Sequence, residues 1–336
     1  MAGVDLDAFV RAHAAEWARL DELCRRRRLT GEEADELVDL YQRTATHLST
    51  VQSSSPDPAL VSRLSSLVAR ARSAVTGAHT PAWTEVSRFV RVVFPVAVWR
   101  ARWWWIGAGL GFLVVATLVG TWVATSPQVQ AAIGTPEEIR QLVEVEFADY
   151  YSSSPAGSFA ARVWTNNAWA AAQALLFGAA LVVPCLIWVL WPNALNVGIA
   201  GGLLAANGRL DLFFGLITPH GLLELTAVFV AAGVGMRLGW TIVDPGPRPR
   251  AVAIAEEGRS AIVVALGLVV VLLVSGVIEA FVTPSPLPTW ARIGIGVLAW
   301  AGFLAYVAVL GSRAERAGDI GDLVGDEATD VLPYAA

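Results

Sequence analysis

The sequence predicts an all-α fold, in which a polytopic bundle of transmembrane helices follows a helical N-terminal head. Composition is the first reason. Of the 336 residues, 55% are hydrophobic and 16% are charged, and the mean hydropathy of +0.54 is too high for an ordinary soluble domain. The second reason is that stretches of about 20 mostly apolar residues, the length that spans a bilayer, recur between Trp103 and Leu310.

Six stretches are candidates for membrane crossings. They cover residues 103–124, 168–191, 193–217, 222–243, 260–278 and 288–310. The stretch 193–217 is rich in glycine and contains Arg209 and Asp211, so we expect this third crossing to be short or broken. The sequence therefore predicts about six crossings.

Charge sets the expected orientation. Arginines concentrate before the first stretch, after the fourth and after the last, whereas residues 126–158 are acidic apart from Arg140. Because basic loops stay on the cytoplasmic side, we expect a multi-pass protein of the bacterial inner membrane with both termini in the cytoplasm. That orientation requires an even number of crossings. The net charge of −5 argues against nucleic acid as a partner.

A domain plan follows from these patterns. We predict a cytoplasmic helical head at 1–80, an interfacial amphipathic helix at 81–102, a transmembrane domain at 103–311 with an extracytoplasmic loop at 126–160, and an acidic cytoplasmic tail at 312–336. The polar first 80 residues give no reason to expect a signal peptide. Valines alternate with arginines in the interfacial segment, which is typical of a helix on a membrane surface, and we expect Pro95 to turn the chain toward the first crossing.

Three amphipathic helices are predicted in the head. Thr30 and Glu33 have the spacing of a capping box, which begins the second helix. Asp57 followed by Pro58 begins the third helix, because an acidic N-cap and a proline at the first helical position are both favoured there. The three apolar faces should pack together as a small bundle.

The head also carries residues with functional potential. Arg25–Arg28 lie between the first two helices, either as a solvated turn or as a docking site for an acidic partner. His13 and His47 are expected to lie on helix faces and not to bind a metal. The head alone therefore indicates no chemistry.

An amphipathic helix is predicted in the extracytoplasmic loop. It begins at Thr135, which acts as N-cap, followed by Pro136 at the first helical position and Glu138 at the third. Its apolar face consists of Ile139, Leu142, Val143, Phe147 and Tyr150. We expect this face either to rest on the bilayer or to bind another protein or a second copy of the chain.

Polar side chains within the apolar stretches are the candidates for a functional site, because a charge near the bilayer centre costs about 2.5–3.5 kcal/mol. The candidates are Asn166, Asn167, Asn193, Asn196, His220, Glu224 and Glu279. Pro219 and Gly221 flank His220 and are expected to turn the chain and start a new helix. That helix would place His220 and Glu224 on one face. Glu279, at the outer end of the fifth crossing, is a matching carboxylate.

Three interpretations of this cluster stay open from the residues alone. It is a hydrogen-bonded structural cluster, a path for a substrate or protons, or a metal site or intramembrane hydrolase. Zinc usually needs three protein ligands, and no second histidine or cysteine lies nearby in the sequence. The chain also lacks the His-Glu-x-x-His and Gly-x-Ser-x-Gly motifs. We therefore expect no catalytic residue, no metal and no cofactor.

The order of these features resembles the stage II sporulation protein M family of bacterial membrane proteins, in a longer form with a helical head. The resemblance covers about residues 99–310. It is carried by Asn166-Asn167, the small-residue run from Asn193 to Gly202, Pro219-His220-Gly221 followed by Glu224, and Ile278-Glu279-Ala280-Phe281 ahead of Pro284.

The resemblance implies a function in the cell envelope. It implies a non-enzymatic scaffold or localisation factor for peptidoglycan remodelling, because founding members of the family act with a peptidoglycan-degrading complex during spore formation. The alternative is a membrane transporter or lipid-handling protein that uses a polar intramembrane cavity, and the third hypothesis is an intramembrane hydrolase. The expected partners are membrane lipids and envelope-remodelling proteins. A homodimer would form through the glycine-rich third stretch or the outer helix.

Overall fold

A computed structural model describes residues 6–26, 29–54, 57–75, 82–147 and 156–321. Within these ranges the regular structure is helical and contains no strand, so the predicted all-α class is confirmed. The chain divides into two compact units, Met1–Val86 and Ser87–Ala336.

The first unit is a bundle of three helices. They are α1 (Leu6–Arg25), α2 (Gly31–Ser54) and α3 (Pro58–Val75). Trp17, Leu20 and Leu64 are at most 1% exposed and form the centre of its apolar core. The predicted amphipathic faces therefore pack together.

The predicted starts of α2 and α3 are confirmed. The amide of Thr30 donates to Glu33 Oε2 at 3.0 Å and the amide of Glu33 donates to Thr30 Oγ1 at 3.3 Å, which is the reciprocal pattern of a capping box. The amide of Ala59 donates to Asp57 Oδ1 at 2.9 Å. Each bond satisfies an amide that has no partner within its own helix.

The arginines after α1 belong to surface ion pairs. Arg25 pairs with Asp21 at 2.6 Å, and Arg26 pairs with Glu22 and Glu33. Such exposed pairs contribute about 0–1 kcal/mol to stability. Arg27 and Arg28, the rest of this predicted basic turn, lie outside the described residues.

The segment before the first crossing is more deeply buried than the sequence indicates. Helix α4 (Ala82–Arg88) continues through a π-helical segment, Phe89–Val93, into α5 (Phe94–Arg100). Val96 and Val98 are fully buried, so this half of the segment packs inside the membrane unit. The predicted turn at Pro95 is wrong: the helix continues through this proline, the carbonyl of Val90 accepts a hydrogen bond from the Tyr306 hydroxyl, and the chain bends at Ala101.

Five helices among the described residues are long and apolar enough to cross a membrane. They are α6 (Arg102–Thr125), α11 (Leu186–Ala206), α12 (Leu210–Val243), α13 (Arg250–Val282) and α14 (Thr289–Arg316). Between α6 and α11 lie α7 (Pro127–Ile133), α8 (Pro136–Gln141), α9 (Ala156–Ala179) and α10 (Val182–Cys185). Helix α12 is the centre of the bundle, because it packs against α6, α9, α13 and α14.

Two of the predicted crossings have different boundaries. Within the predicted stretch 168–191, α9 ends at Ala179 and Leu181 adopts a positive φ of 124°. Within the stretch 193–217, α11 ends at Ala206 and the chain turns at Gly208, whose φ is +68°. The break at Leu181 lies among apolar residues and was not predicted, whereas the break at Gly208, next to Arg209 and Asp211, confirms the expectation that the third stretch is short or broken.

The predicted turn at Pro219 and Gly221 is also wrong. Helix α12 begins at Leu210 and runs through Pro219 without interruption. Proline is tolerated inside membrane helices because neighbouring helices compensate for the lost hydrogen bond. Here α14 packs closely beside it: a Cβ added at Gly296 would lie 2.2 Å from the carbonyl oxygen of Pro219.

Small residues join α11 to α6. A Cβ added at Gly198 would lie 2.7 Å from the carbonyl oxygen of Ala116, and one added at Gly202 would lie 2.6 Å from that of Gly120. Close contact of this kind is the usual role of small residues between membrane helices. The glycine-rich surface expected to support a dimer is thus occupied within the chain.

The outer helix likewise packs on its own chain. Its capping box is confirmed, since the amide of Thr135 donates to Glu138 Oε2 at 2.8 Å and the amide of Glu138 donates to Thr135 Oγ1 at 3.3 Å. Val143 is 2% exposed, and the ring of Phe147 stacks on Phe213 of α12 at 6.2 Å. The expectation that this apolar face rests on lipid or binds a partner is therefore wrong for these residues, because α11 and α12 cover them.

The remaining predictions for these segments fall on undescribed parts of the chain. Tyr150, the last residue predicted on the outer helix, and most of the acidic tail, residues 322–336, lie outside the described ranges.

Candidate functional site

A polar cavity of about 500 Å³ opens within the membrane unit. It lies among helices α9, α11, α12 and α13. Its lining consists of Arg162, Val163, Asn166, Asn167, Val197, Ile217, His220, Gly221, Glu224, Leu225 and Glu279. Five of the seven polar residues predicted from the sequence are therefore brought together on one cavity wall.

Three ionisable groups meet at the deep end of the cavity. His220 and Glu224 lie one turn apart on α12, and Glu279 lies in the π-helical segment Ile278–Val282 that ends α13. The nitrogen and oxygen atoms that they present all lie within 4.8 Å of one another. His220 is 6% exposed and Glu279 is 4% exposed, so the protein and not bulk water determines the electrostatics here.

Hydrogen bonds fix the histidine ring. Nδ1 of His220 lies 3.3 Å from Thr283 Oγ1, and Nε2 lies 3.9 Å from Glu279 Oε1. Ser275 Oγ donates to the backbone carbonyl of His220 at 3.1 Å. The ring is held between α12 and α13, which orients it toward the carboxylate.

Glu224 is the exception in this cluster. Its Oε2 atom is buried and has no hydrogen-bond partner among the described residues, although its side chain lines the cavity. Burying a carboxylate oxygen without a partner is costly. A purely structural cluster would be expected to satisfy it, so this atom indicates a place for a bound group.

Arg162 was not predicted as a site residue. This residue of α9 lines the cavity, and its guanidinium carbon lies 5.6 Å from the ring centroid of Phe159. It forms no ion pair with the described residues. The available signal was the four-residue spacing from Arg162 to Asn166, which places both on one helix face, but the predicted second crossing began only at residue 168.

Two predicted site residues lie elsewhere. Asn193 donates through Nδ2 to the carbonyl of Val189 at 2.7 Å, which satisfies the amide within its own helix. Neither Asn193 nor Asn196 lines the cavity. Of the two residues predicted to form a turn, Gly221 lines the cavity and Pro219 is buried behind it.

A second buried ionic cluster, which was not predicted from the sequence, lies near the C-terminal end of α12 and the N-terminal end of α13. Glu257 is 4% exposed, and its Oε1 accepts from Arg237 at 2.7 Å. Arg248 lies 3.6 Å and Arg100 lies 3.9 Å from the same oxygen. This arginine network, Arg100, Arg237, Arg248 and Glu257, joins α5, α12 and α13 and carries an excess of positive charge.

An apolar groove of about 250 Å³ lies between α9, α12 and α13. It is lined by Ala168, Ala171, Ala172, Leu175, Leu176, Ala231, Ala265, Leu268, Val269 and Leu272. The floor of the groove is buried, whereas Leu176 is 63% exposed and Val269 is 41% exposed at its rim. The groove is therefore open to the surroundings of the bundle.

The groove follows the polar cavity along the same three helices. On α9 the lining changes from polar at Asn167 to apolar at Ala168, and on α12 it changes between Glu224 and Ala231. On α13, which runs in the opposite direction, Glu279 belongs to the cavity and Leu272 to the groove. Along the helix axes, about 10 Å separates the centre of the polar cavity from the centre of the apolar groove.

These features define an α-helical membrane protein with a polar cavity inside its bundle. Residues 109–284, slightly more than half of the chain, match the stage II sporulation protein M family, and the chain belongs to that family. Residues 7–77 match a domain of unknown function, DUF8413. No curated protein and no solved structure matches the chain.

Proposed function

We propose that the protein handles a membrane lipid, whose polar headgroup enters the cavity and whose hydrocarbon chain lies in the apolar groove. The single observation that supports this most is that successive segments of α9, α12 and α13 line first the polar cavity and then the apolar groove. An amphipathic ligand needs both environments in that order. A ligand pocket is typically concave and mostly apolar with a few convergent polar groups.

The cavity favours this function over a purely structural cluster. Its volume of about 500 Å³ gives room for a headgroup, and its lining contains the guanidinium of Arg162 as well as the carboxylates of Glu224 and Glu279. Groups of both signs can bind a headgroup that carries an amine, a phosphate or both. Family membership supports an association of this membrane protein with sporulation.

Native mass spectrometry of the full-length protein in mild detergent tests the proposal. Wild-type protein should retain about one lipid per chain. Ala172→Trp should fill the groove and lower lipid retention at least tenfold, whereas Ala301→Trp, at an exposed alanine of α14, should not. Equal lipid retention by the two variants would contradict the proposal.

A scaffold function is the second candidate. It is supported by the separate compact unit Met1–Val86, whose surface carries charged side chains available to protein partners. In this function the protein acts without catalysing a reaction and brings envelope-remodelling proteins together. Neither a homodimer nor a particular protein partner follows from the geometry.

Complementation in cells separates the two candidates. If lipid handling dominates, the double variant Glu224→Gln/Glu279→Gln should lose function at normal protein level, while Arg25→Glu, a charge reversal at an exposed head residue, should retain it. The opposite pattern would favour the scaffold. Equal function of both variants would contradict both proposals.

We also propose that both termini face the cytoplasm of a bacterial inner membrane. Five helices meet the length and composition of a crossing, so an even count requires α9, which packs along α12 and α13, to cross as the sixth. Labelling of single cysteines at residues 3 and 330 in intact cells tests this. Access to only one of the two ends would contradict it.

A further inference from the structure

The structure offers a second kind of ligand site inside the polar cavity. Its three groups, the imidazole of His220 and the carboxylates of Glu224 and Glu279, come from two helices that pack directly against each other. From them we infer that the acidic end of the cavity binds one divalent transition-metal ion. The inference rests on the proposed function, because it names what occupies the polar end of the same cavity.

The distances suit such an ion. Ligands about 2.0–2.2 Å from a tetrahedral zinc ion lie about 3.3–3.6 Å from one another, and the three groups already lie within 4.8 Å of one another. One nitrogen and two carboxylate oxygens form a donor set suited to zinc, manganese or iron, whereas magnesium prefers oxygen alone.

Burial supports the same conclusion independently of the spacing. His220 and Glu279 are at least 94% buried, and Oε2 of Glu224 is buried with no hydrogen-bond partner among the described residues. Two carboxylates at this distance in a low-dielectric site repel each other unless a cation or a proton lies between them. A divalent ion would satisfy the free oxygen and offset the repulsion at once.

The surroundings of the histidine also fit. A histidine that binds a metal through one ring nitrogen usually forms a hydrogen bond through the other. Nδ1 of His220 lies 3.3 Å from Thr283 Oγ1, and Nε2 is the ring nitrogen nearer to the carboxylate, 3.9 Å from Glu279 Oε1. Three protein ligands leave at least one coordination position open toward the cavity.

The head contains another histidine and glutamate cluster, which serves as an internal control. His13, Glu16 and His47 also lie within 4.8 Å of one another. The rings of His13 and His47 are tilted by 37° with centroids 3.9 Å apart, and these side chains are only partly buried, whereas His220 and Glu279 are at most 6% exposed. Trp17 Nε1 donates to Nδ1 of His47 at 3.2 Å, which occupies a lone pair that a metal would need.

Zinc binding by the full-length protein tests the inference. Protein in detergent micelles is treated with a chelator, dialysed, and titrated with Zn²⁺ by calorimetry, with the bound metal counted by mass spectrometry. We expect one Zn²⁺ per chain. Glu224→Gln, Glu279→Gln and His220→Gln should each weaken the affinity at least tenfold, whereas His47→Gln and Glu137→Gln should bind as wild type does.

X-ray absorption spectroscopy of the zinc-loaded wild-type protein identifies the atoms that bind the ion. It tests the inference even where a variant folds poorly, because it does not depend on a variant. The zinc should show nitrogen and oxygen neighbours near 2.0–2.1 Å and no sulfur. Sulfur neighbours would assign the ion to Cys24 or Cys185 and overturn the inference. Loss of binding in His47→Gln alone, or no stoichiometric binding in wild type, would also overturn it in favour of the head cluster or of a proton shared by the carboxylates.

The inference and the proposed function fail separately. If lipid retention depends on Ala172 but zinc does not bind, only the metal inference is wrong. If zinc binds through His220, Glu224 and Glu279 but groove variants retain lipid as wild type does, the metal site stands and lipid handling is wrong.

Discussion

The two buried ionic clusters of the membrane unit differ in whether their carboxylates have partners. In the arginine network, the Glu257 carboxylate lies within 3.9 Å of three guanidinium groups. In the polar cavity, about 20 Å away along α12, two carboxylates share one histidine and Glu224 Oε2 has no hydrogen-bond partner among the described residues. The first arrangement is complete without a ligand and the second is not, so the difference separates a structural cluster from a binding site.

The largest expected effect concerns the arginine network. Glu257→Ala removes the carboxylate that pairs with Arg237 and leaves that buried guanidinium without a counter-charge among the described residues, although Arg248 keeps its pair with Glu256. We expect the free energy of unfolding to fall by about 3–5 kcal/mol, measured by denaturant unfolding in micelles. The control Glu137→Gln, at a 79% exposed side chain, should change it by less than about 0.5 kcal/mol. A loss of unfolding free energy no larger than that of the control would show that the arginine network has no structural role.

The second effect concerns the close packing between the two clusters. A Cβ added at Gly235 would lie 2.3 Å from the carbonyl oxygen of Leu175, so Gly235→Ala forces α9 and α12 apart. We expect a loss of about 1–3 kcal/mol in unfolding free energy. Gly111→Ala meets no atom within 4 Å and should be neutral or stabilising. If both changes have the same effect, the contact does not hold α9 in place beside the groove.

The third effect should have the opposite sign to the first. In protein freed of lipid and metal, Glu224→Gln replaces a carboxylate that lacks a partner with a neutral amide. We expect the unfolding free energy to be unchanged or to rise by up to about 2 kcal/mol. A loss comparable to that of Glu257→Ala would show that Glu224 belongs to a matched structural cluster, and the contrast between the two clusters would disappear.

The smallest effect lies in the head and concerns the half-buried His47. Burial lowers the pKa of His47, and the neighbouring His13 and Arg43 add to the shift while Glu16 opposes it. The neutral ring is therefore favoured in the folded head. Its contribution to stability is present above the unfolded pKa of about 6.5 and is lost as pH falls from there through the lowered folded value.

Proteolysis of the full-length protein measures this last effect. The head of wild type should be cleaved faster at pH 5.5 than at pH 7.5, and His47→Gln should remove most of that difference. A pH dependence that is unchanged in His47→Gln would assign it to another group.

Sequence patterns predicted local features better than boundaries. The capping boxes at Thr30 and Thr135 depend on side chains three residues apart, and both formed as predicted. The break near Gly208 was predicted from the glycines, Arg209 and Asp211 of that stretch, whereas the break at Leu181 was not, because the residues around it are as apolar as those of a membrane-spanning segment. Pro219 suggested a turn, yet packing against α14 keeps the helix continuous.

The sequence predicted only those residues of the candidate site that lie inside apolar stretches. His220, Glu224 and Glu279 stand out because ionisable residues are rare in apolar stretches. Arg162 and Glu257 did not stand out, because each lies near a helix end where charge is ordinary. Which groups lack partners depends on contacts between helices distant in sequence, and only the structure supplies those.

An experimental structure of the protein purified with native lipids would test the central claim most directly. We predict elongated density in the groove beside Ala172, continuous with density in the cavity between Arg162 and Glu224. A cavity closed by a direct hydrogen bond between Glu224 and Glu279, with the groove filled by side chains of this protein, would contradict the account.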